Sequence, residues 1–394
     1  MTHLLVALIG AALLMITLPL VLELAIVTFA NWLPAGKHHL LIEPRPRSED
    51  RTLAIIVPAH NEELLVAKCV RSLRASAGLT TRIFVVAHNC VDGTASQARA
   101  AGGDVLEFND PTAVGKGFAL RYGFEHALAH GADAVMVVDA DSVVSINAIS
   151  AVQSALASGA RVVQCRYEMF STTDRSSTRL AALAFRGFNV IRPRGRDRLG
   201  FSAGILGNGF AIARLVLEAI PYDAFSVVED LEYHLHLVIA GERVQYLDEA
   251  LISADFPESK AGEAVQRSRW EGGRVNAARN WALPLFGKIL RGRLRLLEPF
   301  CDLTGLPMAY GAFALVVAIC LPLAWLRWYA AVSLGIVMAH VLTAAWAGPE
   351  FLRTLQLLAL APVYIVRKLW MIPGVLRGSS AKAAWVRTER NNTL

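Results

Sequence analysis

The chain has 394 residues, 39 Lys and Arg against 33 Asp and Glu, a formal net charge of +6, 54% hydrophobic and 18% charged residues, and a mean hydropathy of +0.42. Soluble domains average about 45–50% apolar and about 25% charged residues, so this balance excludes a disordered chain, a coiled coil, a collagen or a disulfide scaffold and argues against a purely soluble enzyme. The apolar excess belongs in membrane segments, and the positive charge suits the anionic cytoplasmic face of a membrane better than nucleic acid.

In chain order, residues 4–22 (LLVALIGAALLMITLPLVL) carry no charge, and after Glu23 the run LAIVTFA continues to Ala30. A spanning helix needs about 20 mostly apolar residues. A signal peptide would want a basic n-region, where only His3 stands, and a small-x-small cleavage site. The stretch therefore reads as an uncleaved membrane helix. Leu53 to Pro58 is a short apolar run stopped by proline, which predicts a buried strand. Residues 62–75 have helical spacing, 82–87 predict a second strand, 94–101 a helix, and 134–138 a buried strand that ends at Asp139. Strands alternating with helices imply an α/β fold with a mainly parallel sheet covered on both sides. Ligands then bind beyond the carboxyl ends of the strands, where Asp139 and Asp141 stand. No Gly-x-Gly-x-x-Gly follows the first strand, so a dinucleotide site is not expected.

Further along, Arg192 to Arg198 (RPRGRDR) reads as a basic loop, either solvated or in contact with anionic headgroups or a lipid-linked phosphate. His234 and His236, two apart, do not share a helix face and read as structural. Trp281 with Lys288 to Arg295 reads as a membrane-surface helix. Residues 303–326 and 328–347, separated by Arg327, read as a hairpin of two spans, and 351–366, interrupted by Arg353, Gln356 and Pro362, as an interfacial helix. Lys37, Arg45, Arg47 and Arg51, then Lys288, Arg291, Arg293 and Arg295, then Arg367, Lys368, Arg377, Lys382, Arg387 and Arg390 all belong on the cytoplasmic side. The expected organisation is a membrane helix and linker over 1–50, a cytoplasmic catalytic domain over 51–290, and interfacial and membrane helices with a basic tail over 291–394. This describes a multi-pass protein of the inner (plasma) membrane. Cys69, Cys90, Cys165, Cys301 and Cys320 form no CxxC pair, which suits a reducing compartment.

Clusters of polar residues carry the chemistry. Asp139 and Asp141, directly after a strand, offer hard oxygens to Mg²⁺ or Mn²⁺ and leave positions for substrate phosphates; the alternative is a strand-end turn with two solvated aspartates. Glu229 and Asp230 precede a helical run, as a general base or as acids favoured by the helix dipole. Gln266-Arg267-Ser268-Arg269-Trp270 offers a guanidinium fork for phosphate oxygens and a flat indole for a sugar ring, or a basic helix edge with a core tryptophan.

Taken in order, Pro58-Ala59-His60-Asn61-Glu62-Glu63, His88-Asn89-Cys90-Val91-Asp92-Gly93-Thr94, Gly115-Lys116-Gly117-Phe118-Ala119-Leu120, the DxD pair, the Glu-Asp pair and QxxRW resemble the membrane-bound glycosyltransferases of family 2. Cellulose, hyaluronan and chitin synthases and ceramide glucosyltransferase share this plan, over about residues 52–275 here. The resemblance implies a Rossmann-like GT-A fold flanked by transmembrane and interfacial helices, a nucleotide-sugar donor with uridine as the base, Mg²⁺ or Mn²⁺, and inverting transfer to a glycan or lipid-linked acceptor in cell-surface glycan synthesis. It implies that His60 and Glu62 line the nucleoside pocket, that Lys116 approaches the nucleotide, and that Asp92 is a candidate donor-binding residue. Asp139 would face the donor, and Asp141 would bind the metal. Gly207, Asn208 and Gly209 would lie along the acceptor path. Asp230, beside Glu229, would deprotonate the acceptor, and Gln266, Arg269 and Trp270 would close over pyrophosphate and acceptor. The family usually carries an aspartate after the second strand that reads the base. Here Ala87-His88 stand there, so either Asp92 or the backbone takes that role, or base selectivity is relaxed. Other partners expected are membrane lipids and a homo-oligomer or export partner. A catalytically dead sugar-nucleotide scaffold is the rival class, opposed by the intact acids. A transporter is opposed by the lack of an intramembrane charge pair.

Overall fold

The apolar runs Leu53–Ala59, Thr81–His88 and Ala134–Val137 form adjacent, mostly buried strands in a computed structural model of the chain. The structure describes residues 2–34, 52–171, 174–257, 260–370 and 372–374. Lys37, Arg45, Arg47, Arg51, Arg377, Lys382, Arg387 and Arg390, which bear on the expected orientation, lie outside the described residues. The chain divides into two compact units. One comprises Met1–Pro34, Ser171–Leu199 and Pro257–Leu394; the other comprises Ala35–Phe170 and Gly200–Phe256.

The second unit holds the sheet. Its elements are β1 (Leu53–Ala59), α2 (Val66–Ser76), β2 (Thr81–His88), α3 (Thr94–Ala100), β3 (Asp104–Phe108), α4 (Lys116–Ala129), β4 (Ala134–Val137), β5 (Val143–Val144), α5 (Ala148–Ala157), β6 (Val162–Phe170), β7 (Phe210–Ala213), α8 (Arg214–Ala219), α9 (Glu229–Ala240) and β8 (Val244–Asp255). They build an 8-stranded sheet in the order β3-β2-β1-β4-β7-β6-β8-β5. β1 runs parallel to β2 and β4, with Ile56 opposite Phe84 and Val137; β7 runs antiparallel to both β4 and β6. The sheet is thus mixed but mostly parallel, as expected. The helix predicted from 62 starts at Val66, because Asn61 takes a left-handed turn (φ 56) on leaving β1.

The core lies between this sheet and α4, α8 and α9, where Ile56, Val86, Leu120, Phe124, Val137, Tyr222 and Tyr233 pack together. Each fully buried side chain of this size contributes about 1.5–3 kcal/mol. Helix α4 approaches through its glycines: a β-carbon on Gly117 would lie 2.1 Å from the Ala224 carbonyl oxygen, and one on Gly123 2.6 Å from Ile56 Cγ2. Gly117→Ala should therefore destabilise the protein by about 1–3 kcal/mol through overpacking, measured as a lowered melting temperature. An unchanged melt would contradict this close approach.

The first unit is helical: α1 (Thr2–Trp32), α6 (Ser176–Arg186), a π-helical stretch Gly187–Ile191, α7 (Arg192–Arg198), α10 (Lys260–Leu290), α11 (Leu297–Thr304), α12 (Met308–Cys320), α13 (Ala324–Trp346), α14 (Phe351–Leu357) and α15 (Ala361–Leu369). Among the described residues, His3–Trp32 and Ala324–Trp346 are long and apolar enough to cross a membrane. The expected single span over 303–326 is instead broken. Leu294–Thr304 and Met308–Cys320 meet at 81°, across Gly305-Leu306-Pro307, and Leu321-Pro322 follows α12. Proline removes a helical donor and turns the preceding residue away from helix. The 13 residues of α12 reach only about 20 Å at about 1.5 Å per residue, short of an apolar core of about 30 Å. Arg327 does not separate two spans; it lies inside α13. Pro362 does not break a helix but starts α15, where its missing N–H costs nothing.

The basic segment 192–198 is the helix α7, not a loop. Arg192 and Arg196 are 7% and 4% exposed. Both pair with Glu23 of α1 and with Asp302 of α11, at 2.8 and 3.1 Å to Asp302 Oδ1. Arg196 also meets Glu298 at 2.5 Å, and Arg274 of α10 reaches Asp302 at 2.7 Å. Arg198 donates to the carbonyls of Ala30, Asn31 and Leu33, at the C-terminal end of α1, where a cation opposes the helix dipole. Acids distant in sequence thus take up the charge that the sequence alone assigned to water or lipid.

Candidate active site

The site is built where the parallel strands end. Beyond β4 the chain runs through Asp139, Ala140, Asp141 and Ser142, and Cys69 of α2 donates its thiol to the Asp139 carbonyl at 3.4 Å. Lys116, the first residue of α4, places its Nζ 2.5 Å from Asp139 Oδ1 and 4.0 Å from Glu229 Oε1. The same ammonium donates to the Gly207 carbonyl at 2.5 Å. Gly207 in turn lies against Asp230, since a β-carbon there would sit 3.0 Å from Asp230 Oδ2. Gly207 and Gly209 both have positive φ, +75 and +70, which only glycine adopts at little cost. The structure therefore brings Lys116, Asp139, Gly207, Glu229 and Asp230 together around one turn.

Their charges are coupled. Burial would lower the Lys116 pKa, but Asp139 and Glu229 outweigh it and hold the ammonium charged. Burial pushes Glu229 up to about 7; Lys116 opposes that rise and Asp230 adds to it. Asp141 accepts from Ser142 Oγ at 3.0 Å. Among the described residues no group of three or more His, Cys, Asp or Glu forms a complete metal site. Two carboxylates two residues apart fit a hard divalent cation that takes its remaining oxygens from a diphosphate.

The expected nucleoside residues share the edge formed by the ends of β1 and β2. His60 Nδ1 donates to the His88 carbonyl at 2.8 Å. The Glu62 amide donates to Thr94 Oγ1 at 2.7 Å. Asp92 accepts from the Thr94 amide and hydroxyl at 3.0 and 2.5 Å and from the Glu63 amide at 3.3 Å, so it ties the loop after β1 to the start of α3. His88 is buried, which lowers its pKa and favours the neutral ring; it stacks on Phe108, and Phe108 on Tyr122.

Asn208 is 1% exposed, with its amide turned to the DxD loop: Oδ1 accepts from the Asp139 amide at 3.1 Å and Nδ2 donates to Ser142 Oγ at 2.8 Å. Sequence reading missed two residues here, Ser142 and Gln164. Nothing in the alternation of β6 marks Gln164, whereas Ser142 adjoins the acids it serves.

Gln266, Arg269 and Trp270 stand on α10, in the other unit. Gln266 is buried, and the Trp270 ring lies 6.2 Å from that of Phe185. Beside them Arg267 donates to the Tyr364 hydroxyl at 3.2 Å, and Glu271 accepts from Tyr310 at 2.7 Å and pairs with Lys368 at 2.5 Å.

Comparison with known proteins agrees with this architecture. No curated protein sequence matches the chain. Among solved structures it is similar to the mannosyltransferase PcManGT from Pyrobaculum calidifontis in complex with GDP-Man and Mn²⁺, at 17% identity and a TM-score of 0.53, over 96% of this chain and 99% of that one. That likeness shows a shared fold. Glucosyl-3-phosphoglycerate synthase from Mycobacterium tuberculosis, in complex with Mn²⁺, UDP and phosphoglyceric acid, matches at 21% identity and a TM-score of 0.38, over 56% of this chain and 76% of that one. The model of the family described as "Glycosyltransferase like family 2" matches residues 50–273. That is more than half of the chain, which therefore belongs to glycosyltransferase-like family 2.

Proposed function

We propose that the protein is a membrane-embedded, inverting glycosyltransferase that moves a sugar from a nucleotide sugar to a growing polysaccharide or a lipid-linked acceptor. One observation carries this reading: Lys116 binds Asp139 and the Gly207 carbonyl while Gly207 abuts Asp230. The acids proposed to hold a cation and the proposed base thus flank a single turn. Asp230 removes the proton of the acceptor hydroxyl as that oxygen attacks the anomeric carbon. Attack in line with the departing diphosphate is one displacement, and it inverts the carbon. Asp139 and Asp141 would hold Mg²⁺ or Mn²⁺, which would supply positive charge to the leaving diphosphate. Lys116 acts in the same sense. His60, Glu62 and Asp92 border the nucleoside, and Gly207 and Gly209 the acceptor path.

Two helices long enough to span, or three if the bent pair counts as one, make a poor single-chain channel. This favours a lipid-linked acceptor, or a polymer exported through a homo-oligomer or a partner. The test incubates the purified protein and native lipid extract with Mn²⁺ and a panel of labelled UDP- and GDP-sugars, and then sizes the product. A labelled lipid supports single transfer and a long ladder supports chain extension; no transfer from any donor contradicts the proposal. Chelation with EDTA should abolish the transfer and added Mn²⁺ should restore it, whereas Asp141→Ala should remain inactive at any Mn²⁺ concentration that restores the wild type.

A further inference from the structure

One buried side chain braces the turn between the two sets of acids. Gln164 of β6 is fully buried. Its Nε2 donates to the Asn208 and Cys165 carbonyls at 2.7 and 2.8 Å, and its Oε1 accepts from the Leu206 amide at 3.0 Å. From that anchor Asn208 reaches the DxD loop twice, accepting from the Asp139 amide and donating to Ser142 Oγ. An amide nitrogen only donates, so Ser142 Oγ accepts there and its own proton points to Asp141 Oδ1. Hydrogen-bond directions are thereby set along the whole path from Gln164 to Asp141. The neighbouring Gly207 meets Lys116 through its carbonyl and Asp230 through its α-carbon. The Asn208 side chain, committed at both ends and buried, holds protein groups rather than ligand.

We propose that Asn208, anchored by Gln164, is a positioning residue that fixes the Asp139–Asp141 pair relative to Asp230, with Ser142 as the last link to Asp141. The inference rests on the function proposed above and deepens it. The diphosphate and the acceptor hydroxyl are presented at a set separation because one turn braces both groups of acids. A hydrogen bond to a charged carboxylate is among the stronger ones, and deleting the Ser142 hydroxyl also takes from the buried Asn208 amide the acceptor it uses there.

The test uses full-length protein in detergent and reads Mn²⁺ binding by electron paramagnetic resonance in the presence of UDP or GDP, together with the melting temperature. Ser142→Ala, which deletes one hydroxyl, should weaken Mn²⁺ binding about tenfold, and Ser142→Thr should restore it. Asn208→Ala should weaken it further and lower kcat. A purely structural role would move the melting temperature and leave Mn²⁺ affinity alone. Wild-type affinity in both Ser142→Ala and folded Asn208→Ala overturns the proposal; if Asn208→Ala does not fold, the Ser142 pair decides. Wild-type protein that binds neither nucleotide with Mn²⁺ overturns the underlying functional reading, and the brace with it.

Discussion

Asp230→Asn should abolish sugar transfer while nucleotide-sugar binding survives. Asparagine keeps the shape of the side chain beside Gly207 and removes only its ability to take a proton. A positioned general base contributes about 10²–10⁴-fold, so kcat should fall by that factor. On the proposed assignment donor affinity rests on Lys116, Asp139 and Asp141, which the substitution leaves in place. Glu229, the neighbouring acid, is buried and faces Lys116, whose ammonium lies 4.0 Å away. The measurement pairs single-turnover transfer with calorimetric donor binding. Transfer at the wild-type rate in Asp230→Asn would contradict the assignment of Asp230.

The second large effect is on stability. Glu23 lies in α1, a helix long and apolar enough to cross a membrane, and is buried with Arg192, Arg196 and Asp302, with Arg274 and Glu298 half-buried beside them. Ionisable groups at such positions persist when they are paired. Removing one member of a buried ion pair costs about 3–5 kcal/mol, because its partners stay charged and lose their counter-ion. Glu23→Ala should therefore lower stability by about that amount, read as a large drop in melting temperature in detergent. The control is Arg99→Ala. Arg99 pairs with Glu107, but the two side chains are 53% and 50% exposed, so that change should stay within about 0.5 kcal/mol. Equal melts for Glu23→Ala and wild type would show that the cluster does not hold α1, α7 and α11 together.

Much of the catalytic unit could be read from the chain. Buried parallel strands are uniform apolar runs, and 53–58, 82–87 and 134–138 declare themselves that way. The acids after β4 follow from where such strands end. The direction of β7 could not be read: Phe210–Ala213 is four residues long, and a run that short looks the same either way round. The broken span escaped because average hydropathy over 303–326 hides what Pro307 and Pro322 do to the backbone. The role of 192–198 escaped because the counter-ions of Arg192 and Arg196 lie far away in sequence, at 23, 298 and 302. For the same reason Gln164 could not be found: its partners at 206 and 208 become neighbours only when β6 pairs with β7.

The most direct test of the central claim is the release of nucleoside diphosphate from a sugar nucleotide by the purified full-length protein, followed with and without Mn²⁺. Release that requires Mn²⁺ or Mg²⁺ and disappears in Asp141→Ala is the predicted result. Release that is indifferent to chelation and unchanged in Asp141→Ala would contradict it.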